Sequence, residues 1–135
     1  MKFQLLVDFG LMVLIWIVQL IIYPSFKHYQ KQNLVSWHHI YSSRITVIVL
    51  PLMAVQFMMS LYALYFNFSW VSSLIMLLVL ILWSTTFLQA VPLHYKITSG
   101  HFVGNTITKL IRVNWLRTVL WTLVFGINFV NMLIF

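Results

Sequence analysis

Two histidines, one arginine and one asparagine are the side chains of this sequence best suited to chemistry. His38 and His94 are neutral or cationic near physiological pH, so each could exchange a proton or ligate a transition metal or haem iron. Arg117 offers a planar donor fork for an anionic or carbonyl oxygen, and Asn114 lies three residues before it, on the same helical face. These four are the candidate catalytic residues, with His38 and His94 as the candidate metal or haem ligands. Gln19, Tyr23, Arg44, Gln56, Trp83, Gln89 and Trp121 are candidate substrate-binding residues around them. Trp83 and Trp121 would supply apolar walls and the others polar anchors.

The rest of the composition narrows the chemistry. There is no cysteine, which excludes iron–sulfur clusters, cysteine zinc sites and thiol nucleophiles. Asp8 is the single acidic residue, which excludes a di-iron carboxylate centre, two-carboxylate hydrolysis and a calcium or magnesium cage. No G-x-S-x-G nucleophile turn occurs, so hydrolytic enzymes are disfavoured. The eight Lys and Arg give a net charge of +7, yet 62% of the 135 residues are hydrophobic and only 7% charged. A soluble domain of this size could not bury that much apolar surface, so the charge reads as membrane topology and not as a nucleic-acid footprint.

The elements that must position these residues are four apolar runs, approximately 5–22, 45–66, 68–91 and 113–135, each long enough to span a bilayer as a helix. The expected fold is all-α, a single-domain integral membrane four-helix bundle. The first run lacks a small-residue cleavage pattern and is read as a mature helix. Lys27, Lys31, Arg44, Lys96, Lys109, Arg112 and Arg117 fall at the first and third connections, with only Lys2 at the other end. In a bacterial cytoplasmic membrane this places both connections inside and both termini outside.

In the first connection Phe26, Tyr29, Asn33, Trp37 and Tyr41 recur at helical spacing, which predicts a short interfacial helix between the first two spans. Asn105 or Thr106 reads as the N-cap of the last span, Pro51 as a kink and Pro92 as the end of the third. Only one of the adjacent His38 and His39 can face the bundle, and His28 and His101 stand alone in loops.

Polar residues thus gather at one end of the bundle, as a binding or redox site for a hydrophobic small molecule would require, while the same set could instead join helices by hydrogen bonds. Two other readings are open. Asp8, Gln19 and Gln56 could line the path of a small dimeric transporter, or the cluster could dock an accessory subunit onto a larger membrane complex. Tyr23-Pro24, Trp37-His38, Arg44-Ile45, Pro51, Gln89-Ala90-Val91-Pro92-Leu93-His94 and Asn114-Trp115-Leu116-Arg117-Thr118 resemble a group of small uncharacterised bacterial four-helix membrane proteins. The end of the third span and the Asn-x-x-Arg start of the fourth are also similar to the anthrone-oxygenase-like membrane family. That likeness implies an oxygenase or a binding protein for a hydrophobic aromatic, with His38, His94, Asn114 and Arg117 as the transferable positions. The chain departs from the first group at Tyr41, where a second histidine is usual, and at Gln56, where an acid is usual.

Overall fold

The computed structural model describes residues 2–101 and 104–135, and every regular element among them is helical. Four helices are long and apolar enough to cross a membrane: α1 (Lys2–His28), α2 (Lys31–Phe66), α3 (Trp70–Thr98) and α4 (Thr106–Ile134). Each packs on its sequence neighbours and α4 closes back on α1, its most extensive partner, giving a four-membered ring of helices.

The connections reflect local chemistry. Ser69 caps α3 through a reciprocal capping box, its hydroxyl accepting from Ser72 N–H at 3.0 Å while its own N–H donates to Ser72 Oγ at 2.8 Å. At the other end of α3, Gly100 takes φ of 74°, the left-handed conformation that lets its N–H reach back to the Ile97 carbonyl. Asn105 precedes α4 as expected, although its side chain makes no capping bond.

Three features differ from the sequence reading. The first connection contains no separate interfacial helix: after a short break at Tyr29 and Gln30, α2 runs unbroken from Lys31 through Ser43 and Pro51 to Phe66. Phe26 and Tyr41, expected on a headgroup-facing stripe, are buried, with Phe26 packed edge-on against both His38 and Tyr41. The connection folds back into the bundle because Phe26, His38 and Tyr41 pack on one another, while Tyr29, Asn33 and Trp37 of the same stripe stay exposed.

The third difference is that Pro92 does not end α3. A proline lacks the N–H for the preceding turn, and α3 absorbs this with a π-helical turn at Thr86–Ala90 before continuing to Thr98. The same device precedes Pro24 in α1, where Val18–Ile22 is π-helical. Each π turn holds an extra residue and so rotates the remainder of its helix about the axis.

The outer surface is apolar along the length of the bundle. Val47, Leu88 and Leu133, from three different helices, are each about two-thirds or more exposed, at 73%, 76% and 67%. Inside, the apolar core is threaded by a column of polar side chains, among them Asp8, Gln19, His38, Gln56, Asn114, Arg117 and Asn128, all buried.

Candidate functional site

The polar column has two parts, an amide-rich part that includes Arg117 and a histidine part. In the first, Asp8 of α1 accepts from Gln56 Nε2 through Oδ1 and from Asn128 Nδ2 through Oδ2, both at 2.7 Å. Gln56 Oε1 in turn accepts from Trp121 Nε1 at 3.1 Å, so one glutamine ties α2 to both α1 and α4. Arg117 lies over the Trp121 ring at 5.2 Å and donates from Nη1 to Asn114 Oδ1 at 3.0 Å. Asn114 Nδ2 donates to Gln19 Oε1 at 2.7 Å, and Gln19 Nε2 donates to the Ile111 carbonyl at 3.2 Å. Both polar atoms of each of the Gln19, Gln56 and Asn114 amides thus have a partner, which fixes their orientation and locks the three helices in register.

The second group is a wire through two imidazoles. Tyr23 Oη lies 2.7 Å from His94 Nε2, His94 Nδ1 lies 2.7 Å from His38 Nε2, and His38 Nδ1 lies 2.8 Å from Thr98 Oγ1 and 3.2 Å from Ser42 Oγ. Two proton arrangements satisfy this chain. In one, Tyr23 donates to His94, His94 to His38 and His38 to Thr98; in the other every bond is reversed. A proton taken up at Tyr23 Oη and another given up at Thr98 Oγ1, or the reverse, converts one arrangement into the other and leaves both imidazoles neutral.

All four ring nitrogens of His38 and His94 are therefore engaged, and a metal or haem iron would have to displace one of these partners. Among the described residues no group of three or more His, Asp or Glu side chains is gathered as a metal site.

Arg117 stands apart from every carboxylate. It is 5% exposed, its Nε is buried without a hydrogen-bond partner, and Asp8 is committed to Gln56 and Asn128. It lines the same cavity as Tyr23, Tyr41 and His94.

A cavity of about 370 Å³ joins these parts. Its floor is made by buried residues of α1 and α4, including Leu11, Ile15, Val18, Tyr23, Arg117 and Trp121. Its rims are exposed residues of the other two helices, Leu50 of α2 and Phe87, Val91 and Tyr95 of α3, so it opens sideways between α2 and α3. Tyr41, Ser42, His94 and Thr98 line one end, and Leu11, Leu14, Val49 and Met53 line the other. The π turn of α3 contributes Thr86, Phe87 and Ala90 to the wall, so the extra residue ahead of Pro92 shapes the opening.

The structure thus brings together His38, His94, Asn114, Arg117, Gln19, Tyr23, Gln56 and Trp121 from the sequence-derived set. It leaves out three. Gln89 is exposed, because the π turn moves the inward position from residue 89 to Ala90. Arg44 is exposed on α2, where its long charged side chain avoids the core. Trp83 is half-buried between Phe57 and Phe87, with Nε1 unpartnered, and does not line the cavity. His38, not His39, faces the bundle.

Sequence reasoning missed Asn128, Tyr41, Ser42 and Thr98. Asn128 lies seven residues beyond Trp121, on the stripe already carrying Asn114 and Arg117, and Thr98 is one turn past His94. Both were thus reachable by extending a helical stripe.

No family model, curated protein or solved structure matches this chain. The likeness to the two membrane families rests on the short motifs alone.

Proposed function

We propose that the chain is a multi-pass membrane protein whose bundle holds a site for a hydrophobic small molecule bearing an anionic or carbonyl oxygen. The molecule enters from the lipid between α2 and α3, its oxygen meets Arg117, and the Tyr23–His94–His38 wire exchanges protons between that oxygen and the connection end of the bundle. The apolar outer surface supports membrane insertion, since only lipid could cover Val47, Leu88 and their neighbours at low cost. The basic first and third connections support a cytoplasmic location for the wire's Thr98 end.

One observation carries the reading. A buried guanidinium with a free N–H, lacking a carboxylate partner, stands on the wall of a largely apolar cavity that opens toward the surrounding lipid. Burying such a cation is costly unless a partner completes it, and the cavity is where a partner would arrive. Electrostatic recognition of an oxygen in low dielectric is correspondingly strong.

The test is equilibrium binding of three radiolabelled compounds, palmitic acid, methyl palmitate and decylubiquinone, to detergent-purified protein. At least one should saturate at one molecule per chain. Ala90→Phe, which fills the cavity from its α3 wall, should remove that binding while the variant keeps its helical circular dichroism. Absence of saturable binding by all three, or binding unaltered in Ala90→Phe, would refute the site.

A further inference from the structure

The cavity has a direction as well as a volume. On each of α1, α2 and α3 its lining spans about twelve residues, from Leu11 to Tyr23, Tyr41 to Met53 and Thr86 to Thr98. At a rise of about 1.5 Å per residue that is roughly 18 Å of helix. The polar groups sit at one end and aliphatic side chains at the other, so the space is long, with a wet head and a dry tail.

The charge of Arg117, on the cavity wall, is uncompensated by any carboxylate. The chain has one acidic side chain, and both of its oxygens are occupied by the amides of Gln56 and Asn128. Arg117 spends Nη1 on Asn114 and leaves Nε buried and unpartnered, on a side chain 5% exposed to solvent. A neutral carbonyl would accept a hydrogen bond from the guanidinium but leave the positive charge standing. A carboxylate would supply both the acceptor and the missing negative charge, and its two oxygens match the spacing of a guanidinium edge.

We infer that Arg117 docks the carboxylate of a single-chain amphiphile such as a free fatty acid, whose tail lies along the cavity toward Leu11 and Met53. This rests on the proposed binding site and names its ligand class. The mouth between α2 and α3 admits the molecule sideways, so tail and head need never cross water. Tyr23 and His94, beside the cation, hold a mobile proton, so an acid arriving from the lipid in its neutral form can give up its proton to the wire as it binds. The O–H bond of the acid breaks and its proton goes to Tyr23 Oη as the Tyr23 proton moves to His94 Nε2; the His94 Nδ1 proton moves to His38 Nε2, the His38 Nδ1 proton to Thr98 Oγ1, and the Thr98 hydroxyl proton leaves to water at the connection end.

The experiment compares palmitic acid, methyl palmitate, decylubiquinone and an anionic phospholipid as competitors for bound tritiated palmitic acid at pH 8, using the full chain in mild detergent. The acid is expected to bind at least about tenfold more tightly than the ester or the quinone. Arg117→Gln should erase that preference, while Arg117→Lys, which keeps the charge without the fork, should retain part of it. Equal binding of acid and ester, an acid preference that survives in Arg117→Gln, or tighter binding of the phospholipid would each overturn the assignment. Where ester and quinone bind as well as the acid and Ala90→Phe blocks all three, the carboxylate assignment falls and the general binding site stands. Where Ala90→Phe blocks nothing, both fall.

Discussion

Gln56→Leu is expected to destabilise the bundle by roughly 2–4 kcal/mol. A single interhelical hydrogen bond in a membrane protein averages only about 0.6 kcal/mol, so losing one bond would not give this figure. Gln56 makes two, and each serves a group with no other partner at that atom. Removing its amide leaves Asp8 Oδ1 and Trp121 Nε1 buried and unbonded, each costing about 1–3 kcal/mol. Leucine replaces the volume, so cavity formation contributes little. Reversible unfolding in mixed micelles measures the change. A loss below about 1 kcal/mol would show that Asp8 and Trp121 find other partners, and that the column is looser than its distances imply. Adding Asp8→Leu to Gln56→Leu should restore part of the loss, because the orphaned carboxyl group is then gone.

Adjacent histidines should give opposite results. His38→Leu is expected to cost roughly 2–4 kcal/mol, because it removes a fully buried imidazole and leaves His94 Nδ1 and Thr98 Oγ1 without that partner. His39→Leu, on the exposed side of the same helical turn, should change stability by no more than about 0.5 kcal/mol. The pair also separates the wire from the fold. His38→Gln, which can keep one hydrogen bond to each neighbour, should recover much of the stability but not proton transfer, since an amide cannot donate at one atom and accept at the same atom in turn. Proton release on palmitic acid binding, followed with a pH-sensitive dye in weak buffer, should be present in wild type and slowed in His38→Gln. Release at the wild-type rate in that variant would place the proton path elsewhere.

Much of the arrangement was legible in the residues, and the parts that were not have identifiable causes. The four helices are dictated by apolar length alone, and the Asn114, Arg117, Trp121 face of α4 by its 3.6-residue period, because no proline interrupts that helix. In α3 the same arithmetic fails after residue 85. The π turn ahead of Pro92 inserts one residue, so Gln89 is carried outward and Ala90 takes its place, an outcome that a constant rotation per residue cannot give. The same insertion lets the helix survive Pro92 and carry His94 and Thr98 to His38. The first connection misled for a different reason. Phe26, Tyr29, Trp37 and Tyr41 are aromatic at helical spacing, and that pattern is shared by a headgroup-facing helix and by a segment packed into a bundle; only tertiary contact with His38 decides between them. Asp8 shows the converse. Its direction toward Gln19 was calculable, but its partner Asn128 lies 120 residues away, where pairing is a property of the fold.

The most direct measurement of the central claim is photo-crosslinking with a fatty acid that carries a diazirine near the end of its tail, followed by peptide mass spectrometry of the protein reconstituted in lipid. The account predicts adducts concentrated on the floor and far end of the cavity, at Leu11, Leu14, Ile15, Val49 and Met53, competed by excess palmitic acid and lost in Ala90→Phe. Adducts spread over outward-facing residues such as Leu20, Ile21, Val47 and Ile48, indifferent to competitor and to Ala90→Phe, would show that the bundle holds no such molecule.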